Sequence, residues 1–190
     1  DEKQLPWSNG IQWTHAGPVA VANCLFWYDS KYQYLINPLS PPPPAINDDF
    51  RLISNLAPAL IDDHDAANVQ PVVNNLATIM KTNSFGTDID TMLYGVQRYL
   101  NSLGLEDTLM VRLYSKPTWP FVRDEVKKSQ DVILLLGFWQ QDMAAPSGWS
   151  RVGGHYITVA GVDTMASAIN PSIFISDPFF DLLEGDPPIP

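Results

Sequence analysis

The chain of 190 residues is poor in cysteine, in basic residues and in long apolar runs. A single cysteine, Cys24, excludes an internal disulfide and any paired-cysteine metal site, and leaves the redox compartment undetermined. Lys and Arg number 11 against 21 Asp and Glu, a formal net charge of −10. Such a balance disfavours phosphate backbones, so nucleic acid is not an expected partner. The acidic surface instead suggests basic substrates. No run of apolar residues is long enough to span a bilayer, and the first residues form no basic, apolar signal segment, which implies a cytosolic or already processed chain. There is no glycine-rich phosphate loop, and no cofactor or metal is expected. Asp62, Asp63 and Asp65 around His64 lack the spaced pattern of a calcium loop and read as a solvated turn.

The apolar content, 45% of residues, suits one globular domain, taken as 1–184 with a linker-like tail at 185–190. Thr14-His15-Ala16-Gly17-Pro18 reads as a tight loop turning into a helix, expected over 18–31. Gly17 suits a special backbone conformation there, and Pro18 suits a first helical turn, where its missing N–H costs nothing. Val19 to Trp27 is almost wholly apolar, so the helix belongs in the core. Ala16 therefore sits at a helix tip, whose free N–H groups and dipole stabilise an anion. A nucleophilic thiolate would favour that position, yet the residue is alanine.

Farther along, Pro38 and the run 41–44 impose an extended surface loop. Helical spacing is fair over 50–60 despite Pro58, and clear over 68–80. Asp88 caps a helix that Gly104 closes. Residues 108–114 read as a strand, 118–129 as a helix, 131–139 as a buried strand, 143–149 as a loop, 155–162 as a strand, and 173–176 as a short strand ending at Asp177-Pro178. Helices precede the sheet, an α+β plan. Asp29 and Lys31 read as an ordinary helix end.

Three strings fall in a telling order: Gly17-Pro18 after the loop; Gly153-Gly154-His155-Tyr156 running into Val159-Ala160-Gly161-Val162-Asp163; and Ile175-Ser176-Asp177-Pro178. Together they resemble the papain-like cysteine peptidases, and within them the branch that processes double-glycine leader peptides. The resemblance implies a helical half carrying a buried nucleophile helix, packed on an antiparallel sheet half. It places Ala16 at the nucleophile position, His155 as general base and Asp177 as the group that orients it. A thiol needs an imidazole to become thiolate, and the imidazole needs a carboxylate to fix its tautomer. Gln12 would supply an oxyanion donor, although it stands four residues before Ala16, closer than the family pattern; the N–H of residue 16 would be the other. Trp13, Trp139, Trp149 and Gly154 are candidates for the substrate cleft. Cys24 lies eight residues beyond Ala16, about 12 Å along the helix at about 1.5 Å per residue, and reads as structural; Thr14 has no spacing to support it as a nucleophile.

The implied activity is peptide-bond hydrolysis through a Cys-His-Asp triad on a peptide or protein substrate. Ala16 implies an inactive form, either an engineered replacement of cysteine or a natural pseudopeptidase that binds without cutting. An amidase or acyltransferase of the same fold is the remaining alternative. The acidic, proline-rich ends suggest a secreted or cell-surface multidomain protein.

Overall fold

The computed structural model describes residues 14–36, 52–54, 56, 64, 66–163 and 172–178. The proline run 41–44, Asp62, Asp63, Asp65 and the tail 185–190 lie outside them. The described residues form four helices, α1 (Ala16–Ile36), α2 (Ala66–Ile79), α3 (Ile89–Ser102) and α4 (Trp119–Lys127), followed by three strands, β1 (Val132–Gln141), β2 (Trp149–Val162) and β3 (Ile173–Ser176). The strands make an antiparallel sheet in the order β1-β2-β3. The α+β plan holds, with the helices first.

α1 starts two residues before the expected position. Val19 N–H donates to the His15 carbonyl at 2.9 Å, which makes Ala16 the first helical residue and puts Pro18 in the first turn. Val19, Ala20, Val21, Ala22 and Leu25 are buried, whereas Trp27 is turned outward. α1 packs against α2, α3 and β2. α2 and α3 add an apolar face each: Val72, Val73 and Leu76 from one, Met92, Val96, Tyr99 and Leu100 from the other. Asp88 caps α3 by accepting from Asp90 N–H at 2.9 Å, and Gly104 closes it with a φ of 72°.

The helical spacing at 50–60 misleads. Leu52, Ile53, Ser54 and Leu56, the described part of that stretch, are not helical. Side chains from the helices take their backbone groups instead. Leu52 N–H donates to Asp29 Oδ1 at 2.5 Å, and Tyr99 OH donates to the Leu52 carbonyl at 2.6 Å. Asn68 accepts from Leu56 N–H at 2.8 Å and donates to the Ser54 carbonyl at 3.1 Å. Leu52 and Ile53 are thereby carried into the core on a backbone whose Leu52 and Leu56 N–H groups and Leu52 and Ser54 carbonyls are bonded to helix side chains. Asp29 is fully buried and is the anchor of this segment, not an ordinary helix end. His64 joins the same group: its Nε2 lies 3.1 Å from Ser30 Oγ and 3.5 Å from Asp29 Oδ2, and its ring packs edge-on against Phe26. It stands in a turn, as expected, and is held there against α1.

Two strand expectations also change. Residues 109–114 make no ladder, because the three strands pair only with one another; Leu109 and Val111 still pack on the core. β1 forms, but it is not a buried strand. Its first three residues are half-buried and everything from Leu135 to Gln141 is exposed. The reason is geometric. Burial in β2 is confined to Tyr156–Val159, where α1 lies on the sheet, and the β1–β2 hairpin runs on past that cover. Apolar composition marks a strand but not its depth.

Removing the Asp29 carboxylate would strand the Leu52 amide in a dry site. Asp29→Ala should therefore lose about 2–4 kcal/mol of stability, measured by urea unfolding, well beyond an exposed helix-end substitution.

Candidate functional site

The N-terminal tip of α1, the start of the buried part of β2 and the turn before α3 converge on one open cleft of about 400 Å³. Its described lining includes Thr14 and Ala16 from the helix tip, Asn83 and Phe85 to Ile89 from the turn and cap, and Arg151, Gly153, Gly154, His155 and Tyr156 from β2. Several contacts fix this convergence. Thr158 Oγ1 donates to the Ala20 carbonyl at 3.1 Å, and Asn23 Nδ2 donates to Ser176 Oγ at 3.2 Å, so α1 is tied to both β2 and β3. Tyr156 OH donates to the Thr87 carbonyl at 3.0 Å, which ties β2 to the turn.

Gly17 is a glycine for a different reason from the one its motif suggests. It is an ordinary helical residue, and a Cβ on it would come within 2.9 Å of Thr87 Oγ1. The residue lets the helix tip and the Thr87 turn touch. Thr87 is itself held by a 2.7 Å hydroxyl contact with Thr82. The turn from Asn83 to Gly86 closes with paired backbone bonds of 3.0 and 2.9 Å and a positive φ of 97° at Gly86, and it pushes Phe85 wholly into solvent at the cleft rim.

His155 and Asp177 meet. The His155 Nε2 to Asp177 Oδ1 distance is 2.7 Å, and both side chains are mostly shielded from water. An ionised carboxylate only accepts, so Nε2 carries the proton of this bond. In the neutral ring the lone pair is then on Nδ1, the nitrogen able to take a proton from a group in the cleft. Antiparallel pairing explains the meeting: Thr158 stands opposite Ser176, which brings the residue after β3 level with the His155 end of β2. Ala16 lines the same cleft as His155, while Asp177 supports the imidazole from behind the lining. At the helix tip, the N–H groups of Ala16 and Gly17 precede the first helical hydrogen bond, and Pro18 has none to offer.

The other sequence candidates divide. Gly154 lines the cleft. Trp139 and Trp149 do not; they stand farther along the hairpin, 58% and 53% exposed. Gln12 and Trp13 lie outside the described residues. Thr14 is buried at the cleft edge, its Oγ1 3.2 Å from Nδ1 of the neighbouring His15. Burial lowers the His15 pKa, which favours a neutral ring. Thr87, Asp88, Arg151 and Tyr156 were not singled out by sequence as cleft residues. A cap signal marked Asp88, but nothing in the string shows that this cap faces a helix 70 residues earlier. The Tyr156 phenol is pushed up to about 12, first by burial and then by the Asp88 charge, with Arg151 opposing.

Cys24 is buried, and its thiol pKa is raised by burial and by the neighbouring Asp131 carboxylate. That is the opposite of nucleophile activation. Among the described residues no cluster of His, Cys, Asp and Glu is arranged to hold a metal ion, and no helix is long and apolar enough to cross a membrane. No protein-family description, curated protein or solved structure matches the chain.

Asp131 supplies a test of these electrostatics. Burial raises its pKa to about 7, with the Cys24 thiol and Lys31 acting against the rise. Its backbone N–H donates to Tyr28 OH at 3.3 Å, which keeps it at the base of β1. Below the unfolded-state pKa of about 4 both states are protonated and nothing is lost. Between there and pH 7 the folded chain binds a proton that the unfolded chain has released, so stability falls as pH rises. Asp131→Asn should leave unfolding unchanged at pH 4 and gain about 2 kcal/mol at pH 8, allowing for partial solvent screening. Thermal or urea unfolding at the two pH values reads the difference.

Proposed function

We propose that this chain is a papain-like cysteine peptidase domain whose nucleophile position is occupied by Ala16, so that it binds a peptide without cutting it. The observation that carries the reading is the His155–Asp177 bond of 2.7 Å at a cleft that residue 16, at a helix tip, also lines. An oriented imidazole and a helix N-terminus are the two devices that turn a thiol into a thiolate. The arrangement of a helical half and an antiparallel sheet with the cleft between them suits the same reading.

With cysteine at position 16, His155 Nδ1 would take the thiol proton while Nε2 stays bonded to Asp177. The sulfur would attack the substrate carbonyl carbon, forming the C–S bond. The resulting oxyanion would be held by the N–H of residue 16, with Gln12 as the second donor. His155 would return its proton to the leaving amine as the C–N bond breaks, and water would then release the acyl group. Ala16 removes the sulfur and leaves the remainder of the machinery. The alanine itself favours one further reading, a natural peptide-binding module.

Ala16→Cys tests the proposal. Its residue 16 thiol should react with iodoacetamide at pH 7 at least about tenfold faster than an ordinary cysteine, and His155→Ala in that background should abolish the gain. Asp177→Asn should lower it partway, since the imidazole would lose its fixed tautomer. An ordinary rate, indifferent to His155, would sink the peptidase reading.

A further inference from the structure

Arg151 is the one arginine or lysine among the described residues lining the cleft, four positions before His155 on the same strand. The backbone beneath it is cleared of side chains. Gly137 and Gly154 stand opposite each other across the β1–β2 ladder. A Cβ at Gly154 would collide with the Arg151 guanidinium, and one at Gly137 would come within 3.5 Å of Arg151 Nε. The two glycines thus leave room on one face of the ladder for the guanidinium, and Arg151 and His155 line the same cleft. Gly153 lines it too.

No carboxylate among the described residues lies within ion-pair distance of Arg151. The one carboxylate among the described residues lining the cleft, Asp88, is committed to α3, where Oδ1 accepts from Asp90 N–H at 2.9 Å and Thr91 N–H at 3.4 Å. The fork of Arg151 donors is therefore left to face whatever enters. Planar guanidinium pairs most strongly with planar carboxylate, through two parallel hydrogen bonds. The overall charge of −10 suggests a basic substrate; the lining of the cleft points the other way, and contact chemistry outweighs a diffuse field that salt screens.

We propose that Arg151 is a specificity-determining residue that binds a carboxylate of the peptide, next to the bond presented to residue 16. This rests on the peptidase reading of the same cleft. The carboxylate is either the peptide's C-terminus or an Asp or Glu side chain.

The experiment compares alkylation of Ala16→Cys by iodoacetate, which carries a carboxylate, and by neutral iodoacetamide, at low salt, with modification at residue 16 followed by mass spectrometry. The ratio of the two rates should fall about threefold or more on Arg151→Gln, and Arg151→Lys, which keeps the charge, should retain most of it. A ratio indifferent to Arg151→Gln overturns the proposal. The iodoacetamide rate and its dependence on His155 report separately on the peptidase reading, so the two failures are distinguishable. Protection of the thiol by N-acetylglutamine would assign the C-terminal carboxylate, and protection by N-acetylglutamic acid α-amide the side-chain one. Protection by neither, with Arg151 in place, also counts against the proposal.

Discussion

The position of α1 against β2 governs the cleft. The Thr158 hydroxyl, set in the buried part of β2, reaches the Ala20 carbonyl one turn into the helix. A side-chain donor on a helix carbonyl fixes both the height and the rotation of the helix on the sheet. Asn23 and Ser176 repeat the tie at β3. With the helix so placed, its tip opens beside His155, and Gly17 lets the Thr87 turn close on the same tip. The His155–Asp177 bond then follows from strand register, because the same pairing that aligns Thr158 with Ser176 brings Asp177 to the imidazole.

The helical half is held in a different way. Its least regular described piece, 52–54 and 56, carries two of the most buried side chains of the core on a backbone that is neither helix nor strand. Such a segment is tolerated only if each buried amide and carbonyl finds a partner. Asp29, Asn68 and Tyr99, one from each of the three packed helices, supply those partners. The polar residues of the core are therefore structural. Cys24 and Asp131 lie together near the start of β1, where burial is the first cause that keeps each from easy ionisation, and the Asp131 carboxylate raises the thiol further.

The described lining of the cleft carries one cation and one carboxylate, Arg151 and Asp88, and so does not share the acidic excess of the chain as a whole. Net charge is a sum over the surface, whereas recognition is set by the few groups within hydrogen-bond reach. Arg151 with room left by its glycines, Asp88 locked into a helix cap and Tyr156 bonded to a backbone carbonyl leave one open cationic corner in the cleft that His155 lines.

By itself the sequence determined the local order. Gly17-Pro18 marked a helix start, Asp88 and Gly104 bounded α3, and the strings around His155 and Asp177 marked two strands. These are short-range signals, set by backbone sterics, capping and alternation, and they survive in any fold that contains them. Tertiary structure alone decided the rest. Helical spacing at 52–54 and 56 lost to long-range side-chain bonds, the apolar run in β1 was left exposed because α1 covers the sheet only at 156–159, and 108–114 joined no ladder although Leu109 and Val111 pack on the core. Arg151 became a cleft residue only when Gly137 and Gly154 met across the hairpin, since its surroundings come from segments far apart in the chain.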